Sequence, residues 1–181
     1  MDVRRRLEIA STHAPPETEM ECSDSAEMVS YQLRRILETI AFSALAANKE
    51  LYETHHGDFD KHWKAAKILN KLEAIHPDFY PKPLEYISPG NYRIKNAESL
   101  SKQRFTSLYD ITSEVLHTWN PYRIEPHGLD IKRPFQEWIE LIYCLMDVHQ
   151  ISIPHLGITY ICHLNHPLSG KTTLYVTQPN I

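Results

Sequence analysis

Residues 76–96 read HPDFYPKPLEYISPGNYRIKN, and whether they are a connection or a structural element decides the fold. Prolines at 77, 81, 83 and 89 remove amide donors and push each preceding residue away from helical angles. The stretch is therefore expected to be a long connection, pinned to the body by Tyr80, Tyr86 and Tyr92. Helical spacing lies on both sides of it. Upstream, Val29, Leu33, Ile36, Ile40, Ala44 and Ala47 recur every three or four residues, which predicts a helix from about Ser25 to Asn48. Asp58 caps a second through Ile75, with Phe59, Ala66, Leu69 and Leu72 opposite Lys64, Lys67 and Lys71. Downstream, Ser99 or Ser101 opens a third, carrying Phe105, Leu108, Thr112, Val115 and Leu116 until Asn120-Pro121. A fourth starts near Pro134, with Phe135, Trp138, Ile142, Leu145 and His149 on one face.

After Gln150 the period becomes strand-like. Ile158–Leu164 and Thr172–Thr177 flank a turn-rich stretch from His166 to Gly170, the pattern of a hairpin, and Ile151–Ile153 could add a short strand. The expected fold is mainly α: a four-helix bundle-like core with a C-terminal β-hairpin at about 151–178. Residues 1–24 are read as an acidic, proline-containing leader, and 25–181 as a single domain.

A chain of 181 residues, 42% hydrophobic and 23% charged, suits one globular core. The net charge of −4 supplies no global field toward nucleic acid or anionic lipid. Five of the acids lie between Glu17 and Glu27, so the rest of the chain sums to +1. Three cysteines, with no Cys-x-x-Cys pair, form no disulfide framework and indicate free thiols in a reducing compartment. No apolar run reaches the ~20 residues that span a bilayer, and no export signal is evident. A cytoplasmic protein is expected.

Ser169-Gly170-Lys171-Thr172-Thr173 resembles the end of a phosphate-binding loop, but the first glycine is replaced by Asn165 and a strand follows. A hairpin turn is the better reading. Eleven histidines include three loose groupings: His55, His56 and His62; His149 and His155; Cys162, His163 and His166. None has zinc-ligand spacing, and Cys162 and His163, adjacent on a strand, point to opposite faces. Neither metal nor cofactor is expected. Lys64, Lys67 and Lys71 could contribute a nucleic-acid face with nearby tyrosines, although interspersed acids favour an ordinary solvated surface. Glu38 is the one charge between Ile36 and Ala47; it either pairs with Arg34 or Arg35 along the helix or belongs to a polar site between helices. His117 and Asn120 stand at a helix end. There they could supply a general acid or base and an amide, or simply close the helix and complement its dipole. The candidate catalytic cluster is thus His117, Asn120, Glu38 and Arg35, with Arg34 as the alternative arginine.

The runs YQLRRILETIAFSALAANKELY, FDKHWKAAKILNKLEAIHPDFYPKPL and LYDITSEVLHTWNPY resemble a group of uncharacterised bacterial proteins over roughly residues 25–122. Their helical part is loosely similar to HEPN-type bundles. That resemblance implies prokaryotic conflict systems, dimerisation and, in many members, metal-independent RNA cleavage. The HEPN pattern places a histidine four to six residues after an arginine on a helix. Here Arg123 and His127 sit in a Pro-interrupted loop and do not match it. The resemblance therefore implies an inactive or divergent relative.

Together these observations favour a non-catalytic interaction or regulatory protein of bacterial or mobile-element origin. It would act on a protein partner or as a homodimer, without a membrane. The alternative is a divergent metal-independent ribonuclease or RNA-binding protein, in which His117 would move the 2′-hydroxyl proton and an arginine would stabilise the phosphorane.

Overall fold

A 24-residue helix spanning Asp24–Ala47 forms the axis of the helical layer. Its Val29, Leu33, Ile36, Leu37, Ile40, Ala41 and Ala44 are buried, too many for one narrow stripe, because neighbours cover it on several sides. In the computed structural model, which describes residues 3–16, 24–57, 64–116 and 133–177, the helices are α1 (Val3–His13), α2 (Asp24–Ala47), α3 (Lys49–His55), α4 (Ala65–Ile75), α5 (Lys102–Leu116) and α6 (Phe135–Met146). Helices α1, α4 and α5 all pack on α2.

Local chemistry sets the boundaries. Asn48 ends α2 by donating its side-chain amide to the Ala44 carbonyl at 2.9 Å and opens α3 by accepting the Tyr52 amide, also at 2.9 Å. Ser101 accepts the Arg104 amide at 3.3 Å, the N-cap role expected of it. Helix α1 lies within the stretch assigned to the leader. Its Val3, Leu7 and Ala10 recur at helical spacing, are buried, and join the same core as α2.

The fold class differs from the expected bundle with a hairpin. The protein is α+β, six helices with a five-stranded antiparallel sheet in the order β2-β1-β3-β4-β5, counted among the described residues. The strands are β1 (Lys82–Ser88), β2 (Asn91–Ile94), β3 (Val148–Ile153), β4 (Ile158–His163) and β5 (Thr173–Thr177). Two expectations fail here. Residues 82–94, read as a connection, form a hairpin that pairs Leu84 with Ile94 and Tyr86 with Tyr92. The fourth helix stops at Met146, so His149 belongs to a strand opposite Pro83.

The prolines are compatible with the sheet because of where they fall. Pro89 precedes Gly90, whose φ of 77° suits the second central position of a turn that favours Pro before Gly. Pro83 lies in a β1–β3 ladder whose paired positions are Lys82 with Gln150 and Pro83 with His149, so its missing amide disrupts little. Helix α6 packs on β1 and β3, joining the layers. Asp58 and Phe59, the expected start of the second helix, lie outside the described residues. Among those residues no helix is long and apolar enough to cross a membrane.

Candidate functional site

Arg34, Arg35 and Glu38 come together between α2 and α5. The Arg34 guanidinium donates to Glu38 at 3.2 Å and to the Tyr109 carbonyl at 3.0 Å, bonds the Ser113 hydroxyl, and stacks 3.3 Å from the Tyr109 ring centroid. Arg35 takes the other Glu38 oxygen at 2.7 Å. Arg34 and Glu38 are mostly covered, with side-chain exposures of 17% and 22%. Such a network fixes α2 against α5. Its guanidinium and carboxylate are engaged with one another, the structural reading of Glu38 anticipated from spacing. His117 and Asn120, the proposed acid–base and amide members, lie outside the described residues, as do Arg123 and His127.

Lys64 precedes α4, and Lys67 faces solvent from it with Lys71 half-buried one turn on. Four basic residues further along are met by acids of the same chain. Lys82 pairs with Asp78, Arg93 with Glu85, Lys102 with Glu73 and Arg104 with Glu98. These pairs reduce the positive field available to a phosphate backbone.

A second cluster lies on one face of the sheet. Across-strand partners share a face, so Tyr86 with Tyr92, Val148 with His163, and His163 with Thr173 place these residues together. The connection between β4 and β5 folds back and brings His166 onto this face. The His163 and His166 ring centroids are 4.8 Å apart, with Tyr86, Tyr92 and Tyr175 packed edgewise or tilted around them. The Tyr92 hydroxyl lies 2.9 Å from His163 Nε2 and the Tyr175 hydroxyl 3.1 Å from His166 Nε2. The Leu168 amide donates to His166 Nδ1 at 3.3 Å, which assigns the neutral His166 ring a hydrogen on Nε2 and makes Tyr175 its acceptor.

His163 is fully buried, and its Nδ1 has no hydrogen-bond partner among the described residues. Burial, aided by His166 and opposed by Asp147, holds its imidazole below the ordinary value. His149, also below that value through burial, bonds its Nδ1 to the Met146 carbonyl at 3.0 Å. The grouping of Cys162 with His163 and His166 separates as alternation requires: the two histidines meet and the thiol does not join them. Burial raises the Cys162 thiol to about 11, which keeps it protonated near neutrality. Among the described residues no three His, Cys, Asp or Glu converge as metal ligands.

Thr173 opens β5, and the segment from Ser169 to Thr172 belongs to the β4–β5 connection. Gly170 takes a φ of 63° there, and its carbonyl accepts Arg4 of α1 at 2.8 Å. A cleft of about 600 Å³ opens beside this contact, floored by Leu7, Ile139 and Leu164 and edged by Glu8, Lys95 and Glu140. Its mixed charges select no single ligand class.

No family model, curated protein or solved structure matches the chain.

Sequence reasoning missed the histidine–tyrosine cluster because its members span residues 86–175. A signal was present, since the alternating Leu84, Tyr86, Tyr92 and Ile94 frame Pro89-Gly90 as strands frame a hairpin turn.

Proposed function

We propose that this chain is a non-catalytic interaction protein that associates with a second copy of itself through β5. The observation carrying this reading is the character of that edge. Strand β5 ends the sheet order, leaves Leu174 and Val176 58% and 56% exposed, and has no charged residue from Thr172 to Thr177. Sheet edges are ordinarily blunted by charge, proline or shortness. The opposite edge, β2, follows that rule, being four residues long and carrying Arg93.

An isologous contact must match itself. An uncharged strand meeting its own copy antiparallel opposes no like charges, and the two sheets would become continuous. Pairing centred on Tyr175 sets Leu174 of one copy opposite Val176 of the other. The wild type is therefore expected to sediment as a dimer at roughly micromolar concentration, the weak end of specific association. Leu174→Lys/Val176→Lys, which opposes lysines across that pairing, is expected to sediment as a folded monomer. A wild type that stays monomeric, or a double variant that dimerises equally well, overturns the reading.

The ribonuclease alternative draws on Arg34, Arg35 and Glu38, but their mutual bonding lends it little support. It predicts RNA cleavage in chelator that His117→Ala abolishes; equal and negligible cleavage by both proteins is the expected result.

A further inference from the structure

The pair of histidines touches the same strand that carries the proposed association, and the geometry of their nitrogens gives them a consequence. His166 Nδ1 accepts the Leu168 amide hydrogen, so a proton added there would face another N–H and break the turn contact. On the other side of the ring, Nε2 holds Tyr175 of β5. His163, one strand away and opposite Thr173 of β5, is sealed from water with one nitrogen on Tyr92. A proton on its other nitrogen would have no acceptor among the described residues. With ring centroids 4.8 Å apart, two positive charges would also repel.

The surroundings do little to offset this. Asp147, at the junction of α6 and β3, favours a charged His163. His149 of β3 opposes it, and β1, β2 and β5 contribute the neutral hydroxyls of Tyr86, Tyr92 and Tyr175. We propose that His163 and His166 form an acid-sensitive latch holding β5 in the sheet, so that proton uptake by the pair frees β5 and dissolves the association made through its outer edge. The latch stands on the sheet geometry alone; its effect on assembly rests on the self-association proposed above.

Hydrogen exchange by mass spectrometry at about pH 7.5 and about pH 5.5, either side of the ordinary imidazole value, tests the latch when rates are corrected for intrinsic pH dependence. Protection of β5 is expected to fall severalfold in acid. Strand β3 serves as the internal reference and should fall much less. In His163→Gln/His166→Gln, whose amides can still bond the tyrosines without titrating, β5 protection should not respond to pH over this range. Should that variant not fold, Tyr175→Phe replaces it: at neutral pH it should already show much of the acid loss and respond less to acid. Unchanged β5 protection in acid, an equal fall in β3, or a glutamine variant or Tyr175→Phe behaving as wild type overturns the latch. Sedimentation of the wild type under the same two conditions separates the two ideas. A monomer at both values whose β5 still loosens in acid refutes self-association and keeps the latch. A dimer at both values with β5 unchanged refutes the latch and keeps self-association.

Discussion

At the scale of single residues, Arg34 joins two helices with one planar group. Removing it forfeits the stacking on Tyr109, the bonds to Glu38, Ser113 and the Tyr109 carbonyl, and leaves a mostly covered carboxylate with one partner, Arg35. Arg34→Ala should cost about 2 kcal/mol, the sum expected of a part-buried cation–π contact and charged hydrogen bonds. Arg34→Lys should recover little of it, because an ammonium cannot bond in several directions within one plane. Urea denaturation of the three proteins measures this, and a loss below a few tenths would show the network to be ornamental. Cys162 offers a chemical check on the sheet. With its thiol near 11, only about one molecule in a thousand carries the thiolate at pH 8. Iodoacetamide should label it slowly in the folded protein and quickly after denaturation.

At the scale of elements, the helices were readable because burial repeats every three or four residues in α2, α5 and α6, and Ser101 carries a cap signal. The β1–β2 hairpin was not, because proline weighs as a breaker wherever local propensity alone is counted. Its permission came from tertiary placement: Pro89 in the turn and Pro83 in a two-residue ladder. The turn itself depends on Gly90 at φ 77°. Gly90→Ala should destabilise the protein by about 1 kcal/mol without displacing neighbouring atoms, since nothing lies within 4 Å of the added carbon. Melting by circular dichroism would register the change; an unaltered midpoint would mean the turn tolerates another geometry. Helix α1 was hidden for a different reason: three arginines in a row at 4–6 obscure the buried trio Val3, Leu7 and Ala10. Leu7→Ala should cost about 2–5 kcal/mol, whereas a helix that merely rests on the surface would lose far less. As for the candidate site, spacing identified the Arg34–Glu38 pair, but no local pattern announces that His166 will fold back onto Tyr175.

At the scale of the whole molecule, three histidines among the described residues are held below their ordinary value of 6.5, chiefly by burial: His76, His149 and His163. The unfolded chain binds those protons more readily, so acid draws the equilibrium toward unfolding. Their contribution to stability is complete above about pH 6.5, shrinks as the pH falls from there through the lower folded values, and then levels off. Glu85, held down by Arg93, acts only at more acidic pH. Denaturant midpoints at about pH 7.5 and about pH 5.5 should therefore differ, the acid value being lower. Equal midpoints would show the three rings to be reachable by water.

The strand order has a further consequence for synthesis. Strand β1 takes β3 as its neighbour, yet α5, α6 and the intervening chain separate β2 from β3 by roughly fifty residues; at about 5–20 residues per second, a ribosome needs roughly three to ten seconds to make them. During that interval the first hairpin has no strand to lie beside. Its inner border, which includes Pro83, offers other nascent chains one amide fewer to pair with.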